Sequence, residues 1–410
     1  MILTKALSSR LETQPAPVNP QPIAYNGYRP SQTTAGPVID EESAMGVATA
    51  YRAANIISDN IAQMPLQQFI ETGDDVKERV HPDAKTRNMA YLLEISPNLW
   101  GWTPFQFKKV LAQWLVLWGN SYVWRPPVRP FQLFVLAASD TYPVYDPDGA
   151  LWYATRLDGK LKYIPGPEIM HSLINPDSSG QLGRGVITYA RESLGRQMGA
   201  YNTESKLYKN GMNPTAYIQV NSSLDKEKRD QYRDSYSEVM TADYEGPRLA
   251  VFDNKIAKYE TVTMSLVDAQ FLELIGATDR DIANFFGMPL HMLNMGKEAY
   301  SSNEEKYLEY LGSTLDPYLV QIEQGARVKW LSQDEQESQF YKFNRDSLLR
   351  MNSKARAETN EILIRSGQRT PNEAREKDDY SAYPDGNRFY MTKNYADTAQ
   401  ILPETGDANA

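Results

Sequence analysis

Cysteine is absent from the 410 residues, which excludes a disulfide framework, a thiolate metal site and a cysteine nucleophile. Histidine is nearly so: His81, His171 and His291 are widely separated, and no H-E-x-x-H or paired spacing suggests zinc. Long apolar runs are missing too. The longest, Val110 to Trp118, spans nine residues and contains Gln113, well short of the ~20 a membrane-crossing helix needs. The first residues lack the apolar core of a signal peptide, so the expectation is a soluble protein that stays where it is made. Basic residues are outnumbered, 43 Lys and Arg against 52 Asp and Glu, for a net charge of −9. That balance excludes a surface that grips nucleic acid throughout, because such binding needs basic patches to displace counterions. It remains compatible with a wall past which DNA slides.

What is present has an ordinary globular composition, 41% hydrophobic and 23% charged, over a length that suits two or three cores. Six prolines in the first forty residues (Pro15, Pro17, Pro20, Pro22, Pro30 and Pro37) predict an extended arm over 1–41. Such an arm gains order by lying across a neighbouring subunit. At the other end, 397–410 is an acidic tail without Lys or Arg.

Apolar periodicity predicts a helix over 43–64, with Val47, Tyr51, Ala54, Ile57 and Ile61 on one face and Pro65 as its stop. A strand over 66–70 and a polar loop over 71–78 follow. A second helix over 104–118 starts with Thr103 as N-cap and Pro104 at the first position, has Phe107, Leu111, Trp114 and Trp118 on its face, and ends at Gly119. A strand over 121–124 follows Gly119, and between 126 and 176 short apolar runs alternate with Pro, Gly and Asp, predicting antiparallel strands at 131–136, 151–156 and 160–164. Helices followed by strands without βαβ alternation predict an α+β domain.

A helix over 186–209 would be ~36 Å long at 1.5 Å per residue. Its apolar stripe is thin: Ile187, Ala190, Leu194, Met198 and Tyr201. So narrow a stripe is expected to pack against copies of itself rather than in a monomer's core. Further on come a strand over 215–220, a charged helix over 225–240, and strands over 248–252 and 258–263 around an Asp253-Asn254 turn. A second long helix over 266–286 presents Val267, Phe271, Ile275, Ile282 and Phe286. A third, over 303–330, is expected to kink at Pro317. A strand over 339–343 precedes two closing helices, the last opening with Thr370-Pro371-Asn372-Glu373, a capping box.

Catalytic motifs are hard to find. Gly180-Gln181-Leu182-Gly183-Arg184-Gly185 has the glycines of a phosphate cradle but the wrong spacing, no Lys-Ser/Thr and no βαβ setting; a turn feeding the long helix is the better reading. No G-x-S-x-G elbow occurs. Nothing calls for a cofactor or a metal. One segment, 295–303, joins two long helices and carries a glycine and a lone lysine, Lys297; it reads either as a solvated connection or as a loop that touches a polyanion.

Several stretches occur in an order that resembles the portal proteins of long-tailed bacteriophages. They include Ala53-Ala54-Asn55-Ile56-Ile57-Ser58 before Met64-Pro65-Leu66, then Leu117-Trp118-Gly119-Asn120-Ser121-Tyr122 and Glu168-Ile169-Met170-His171. Leu182-Gly183-Arg184-Gly185, Tyr208-Lys209-Asn210-Gly211-Met212-Asn213-Pro214 and Asp281-Ile282-Ala283-Asn284-Phe285-Phe286-Gly287-Met288-Pro289 continue the series. Phe343-Asn344-Arg345-Asp346-Ser347-Leu348-Leu349-Arg350 and Thr370-Pro371-Asn372-Glu373-Ala374-Arg375 close it.

The resemblance implies a portal fold. Its parts would be a wing over 42–184 with 333–352, stem helices over 185–210 and 264–290, a small α/β clip over 211–263, a tunnel loop over 291–303, a kinked tunnel helix over 304–332 and a short crown over 353–396. It also implies a non-enzymatic, homo-oligomeric ring of about twelve subunits at one capsid vertex of the virion, assembled in the host cytoplasm. Double-stranded DNA would pass through it without sequence preference. Terminase large subunit, head–tail adaptor and major capsid protein would be its partners, and no membrane would be involved. On this reading Lys297, Tyr300 and Ser301 contact DNA, Lys228, Arg229, Asp253 and Asn254 dock partners, and Ile187, Leu194, Met198, Val267, Phe271 and Ile275 pack the ring. At −9 per chain, about twelve copies carry a field that repels DNA from the wall. Two other readings compete: a carboxylate-dependent, carbohydrate-active hydrolase, and a head-completion adaptor.

Overall fold

A computed structural model describes residues 21–22, 31–72, 76–127, 131–209, 216–220, 225–227, 230–231, 256–261, 267–295, 303–348, 353–377 and 380–391. Two compact units divide the chain between Phe343 and Asn344.

In the first unit, strand β1 (Gln21–Pro22) is followed by a short hairpin, β2 (Ser31–Gln32) and β3 (Val38–Ile39), and a helical turn at Glu41–Ala44. Helix α1 (Ala48–Gln63) leads to β4 (Leu66–Thr72) and β5 (Val76–Arg79). Helices α2 (Met89–Glu94) and α3 (Pro104–Trp118) precede β6 (Asn120–Trp124), β7 (Phe134–Leu136), β8 (Tyr142–Tyr145), β9 (Leu151–Leu157), β10 (Lys160–Pro165) and β11 (Ile169–Leu173). Then come α4 (Val186–Lys209), β12 (Ala216–Val220), β13 (Ile256–Thr261), α5 (Val267–Phe285), α6 (Asn303–Tyr310), α7 (Asp316–Trp330) and β14 (Gln339–Phe343). The sheets run β1-β8-β9-β10, β11-β6-β7 and β14-β4-β5, with the pairs β12-β13 and β2-β3, and every pairing is antiparallel. The mixed α+β class follows from this order.

Local chemistry sets the ends of α3. The Thr103 hydroxyl accepts from the Gln106 N–H, Pro104 occupies the first turn, and Gly119 closes the helix at φ 75°. The predicted helix over 43–64 is instead a single turn and α1, interrupted at Gly46 and Val47. Its buried face is Ala50, Ala53, Ala54, Ile57 and Ile61, whereas Tyr51 is exposed. The expected loop over 71–78 contains β5, an edge strand whose polar Lys77, Glu78 and Arg79 hide it from apolar pattern reading.

The glycine-rich 180–185 segment is a turn, wedged against the end of α3. A Cβ on Gly183 would stand 2.0 Å from the Gly119 carbonyl oxygen, and one on Gly185 only 1.7 Å from that of Leu117. Asn120 locks this contact: its Nδ2 donates to the Gly183 carbonyl at 2.8 Å, and its Oδ1 accepts from the Gly183 N–H at 2.7 Å. That pairing fixes which end of the Asn120 amide is oxygen. His171 reaches the same oxygen through Nε2 at 3.0 Å, so Nε2 bears the proton, and the ring stacks on Tyr122 with centroids 4.4 Å apart. Burial, and secondarily the charge of Lys329, push its pKa down to about 3. His171 is a neutral structural group.

Helix α4 requires a correction to the ring-packing argument. Ile187 and Leu194 are fully buried within one protomer, together with Ala190. The stripe is covered by α3, α5 and β3 of the same chain. The β2–β3 hairpin crosses α4 at Gly195, where any Cβ would meet Thr33 atoms at 2.4–2.6 Å, and Glu192 accepts from the Thr34 N–H and hydroxyl at 3.1 and 2.8 Å. This part of the arm therefore docks on its own subunit. Met198 and Ile275 are half-buried.

The second unit holds α8 (Ser353–Arg365) and α9 (Pro371–Lys377). The Thr370 capping box is present: its N–H donates to Glu373 Oε2 at 2.8 Å, and Glu373 N–H returns to Thr370 Oγ1 at 3.3 Å. Asn372 accepts from the Tyr383 N–H at 3.0 Å and donates to its carbonyl at 3.1 Å, holding the segment after α9.

Candidate functional site

The segment singled out by sequence, 295–303, is bracketed by anchored elements. Before it, Gly287 takes φ 64° where α5 ends, and Pro289 begins a 3-10 turn, Leu290–Leu293. Arg52 on α1 grips that turn: Nε and Nη2 donate to the Met292 carbonyl at 3.0 and 2.9 Å. Asn294 then closes it in the left-handed region at φ 59°. After the segment, α6 leads into a π-helical turn, Leu311–Leu315, and only then α7. Sequence placed the irregularity at Pro317. The structure puts it one turn earlier, because proline lacks the N–H that would bond to Ser313, and the wider turn absorbs the lost bond. Thr314 ties the two sides together, its hydroxyl donating to the Gly287 carbonyl at 2.6 Å.

A polar cluster joins α1, α4 and α5 beside these anchors. Asp279 Oδ1 accepts from Gln197 Nε2 at 2.8 Å and from the Thr49 hydroxyl, and Gln197 Nε2 also reaches the Tyr201 hydroxyl at 3.0 Å. Arg196 and Asp281 form a more exposed pair at 3.3 Å. Burial raises the Tyr310 hydroxyl pKa, and Tyr310 accepts from Asn60 Nδ2 at 3.3 Å. These groups position backbone. No cluster of three or more His, Asp or Glu able to hold a metal occurs among the described residues, and no described helix is long and apolar enough to cross a membrane.

Lys297, Tyr300 and Ser301 lie outside the described residues, as do Lys228, Arg229, Asp253 and Asn254. Of the charged helix expected over 225–240, helical backbone is described at 226–227 and 230–231. The strand expected over 248–252 also falls outside, while β12 and β13 pair as a two-stranded ribbon. Val267 and Phe271 are on α5, but their side chains are outside the described set. Arg52, Gln197 and Asp279 carried no signal in sequence, since Arg52 and Asp279 find partners 230 or more positions away, whereas Asn120 lay in one of the family-like stretches.

The sequence model of the phage portal protein family matches residues 48–379. The chain belongs to that family. Among its relatives, the probable portal protein of Streptomyces phage phiC31 is 25% identical over 88% of this chain and 82% of its own length. The portal protein of Enterobacteria phage HK97 is 24% identical over 89% of this chain and 85% of its own. Two solved structures share the fold: the neck of an empty gene transfer agent particle computed with C6 symmetry (TM-score 0.56, 21% identity) and that of a native particle computed with C12 symmetry (TM-score 0.54, 18%). Each covers 88% of this chain and 98% of the matched one. Portal proteins are structural components of a particle, which sets the hydrolase reading aside. A match across 48–379 likewise leaves no ground for the head-completion adaptor.

Proposed function

We propose that this chain assembles into the ring-shaped DNA conduit at one capsid vertex, through which a phage genome is packaged and ejected. The observation that carries this reading is the family match over 48–379, extended by fold likeness to a neck computed with C12 symmetry. In this reading 185–210 and 264–290 form the stem, 211–263 the clip that meets terminase and then the head–tail adaptor, and 291–303 the loop facing DNA. The pinning of both flanks of that loop, by Arg52 on Met292 and by Thr314 on Gly287, supports it: a loop that touches moving DNA needs fixed roots. The net charge of −9 per chain fits a wall that does not retain its cargo.

Light scattering tests the ring. Twelve copies of 46.5 kDa give about 560 kDa, and a monomer or dimer in solution and on grids would sink the proposal. Changing Lys297 to Ala tests the loop, with ring mass unchanged and packaged genome length or retention altered. Normal packaging in that variant removes Lys297 from the mechanism. Reversing charge at Lys228 and Arg229 tests the clip, with terminase or adaptor capture weakened relative to the unaltered chain, and weakened more at low salt than at high.

A further inference from the structure

An apolar cavity of about 190 Å³ opens between the β11-β6-β7 sheet and the far end of β9, walled by Trp100, Trp124, Phe134, Leu136 and Leu157. Trp100 lies on Phe134 with centroids 4.6 Å apart yet remains 44% exposed, beside exposed Leu99. An exposed indole at the mouth of an apolar groove is surface that a partner covers. The groove's shape and chemistry suit a proline-rich strand, whose fixed φ lowers the ordering entropy of docking on aromatic rings. The chain supplies one: Gln14-Pro15-Ala16-Pro17-Val18-Asn19-Pro20.

Strand register decides whose groove it reaches. Gln21 pairs with Tyr145, which pairs with Leu151, whereas the cavity is walled by 155–158 at the opposite end of β9. Those ends are ~20 Å apart at 3.3 Å per residue. Because β8 is antiparallel to both β1 and β9, β1 runs parallel to β9. The chain therefore enters β1 from the Leu151 end, opposite the cavity. Pro17, four residues upstream, reaches at most ~14 Å. Residues 17–20 therefore cannot occupy the groove of their own chain.

We infer that residues 14–20 of one subunit occupy the Trp100 groove of an adjacent subunit, making the arm a strap between copies. This rests on the ring reading above. Glu12 and Arg10, just upstream of that segment, are opposite in charge to Arg156 and Asp158 on the groove wall.

The absence of native cysteine makes the test direct. In the full chain, Val18→Cys with Ala137→Cys, oxidised after assembly, should give a ladder of multimers on a denaturing non-reducing gel. Adding Trp100→Ala should lower the yield at least fivefold, as should moving the second cysteine to Asp148→Cys at the Leu151 end. Leu157→Cys replaces Ala137→Cys if the latter variant does not fold. Cross-links within single chains would put the subunit's own arm in the groove and overturn the inference. Equal yield with Asp148→Cys, or none in rings of full mass, would assign the groove to another partner and also overturn it. Light scattering on the same samples separates either result from failure of the ring itself.

Discussion

Two of the junctions that hold the long helix α4 are built on opposite principles. At its N-terminal end, backbone meets backbone: Gly183 and Gly185 sit so close to Gly119 and Leu117 that no side chain fits, and Asn120 pairs with Gly183 as a neighbouring strand would. Further along, α4 meets α1 and α5 through side chains, with Gln197 and Thr49 donating to Asp279. The first junction is rigid because its alternatives are steric overlaps. The second holds its partners by hydrogen bonds worth about 1 kcal/mol each, more to a charged group, which rearrange at modest cost. On the proposed conduit reading, a loop at 296–302 that yields to moving DNA would be served by that gradient, fixed at the sheet end and adjustable at Met292 and Thr314.

The largest expected effect breaks the rigid junction. Gly185→Ala places a methyl group 1.7 Å from a carbonyl oxygen, so either α3 or the turn must move. Loss is expected at the top of the range for point changes, above about 4 kcal/mol, or no folded protein at all. Gly180→Ala in the same motif, at φ 69° with open space around it, should cost only about 1–2 kcal/mol. Equal urea midpoints for the two variants would show that the wedge is not what the close contacts imply.

Leu194→Asp comes next. Because Leu194 is buried within one protomer, the charge should destabilise the protomer itself, on the order of 4 kcal/mol, and not the ring alone. Ile275→Asp, at a half-buried site on α5, sharpens the contrast: its expected signature is a folded chain with impaired assembly. Circular dichroism melts paired with light scattering read both. Rings of normal mass and melting temperature from Leu194→Asp would contradict the burial.

His171 gives a smaller effect with a defined sign. Its folded pKa of about 3 lies below the usual 6.5, so the unfolded chain takes up the proton first. Its contribution is therefore complete above pH 6.5 and is lost as pH falls toward 3, at up to about 1.4 kcal/mol per pH unit. His171→Gln should flatten that slope in urea titrations between pH 7 and 4. Parallel curves for the two proteins would remove His171 from the acid sensitivity.

The same contrast explains what sequence revealed. Contacts between backbones leave a residue-type record, because only glycine permits them; the Gly119 cap and the 180–185 turn were legible, as were the exact span of α4 and the Thr370 capping box. Asp279, Gln197 and Arg52 were not, since an aspartate on an amphipathic helix looks the same whether it faces water or a threonine far away in the chain. Edge strand β5 was missed for a related reason, its polar residues carrying no period. The stripe on α4 was read correctly as narrow but assigned to the wrong cover. Two neighbouring helices and a hairpin on small residues, Gly195 among them, bury it within the chain.

The smallest expected effect lies at the edge of the adjustable junction. Arg196 and Asp281 approach to 3.3 Å, but both side chains are about half exposed, so water and salt screen the pair and side-chain ordering offsets much of the attraction. A double-mutant cycle with Arg196→Ala and Asp281→Ala should return a coupling below about 0.5 kcal/mol at low salt, shrinking further in 0.5 M salt. The neighbouring Gln197–Asp279 contact is better shielded, with Gln197 buried, so its coupling should be larger and nearly salt-independent. If the exposed pair proved the stronger of the two, or if the Gln197–Asp279 coupling faded with salt, the α4–α5 junction would be held from its surface and not by its buried polar cluster.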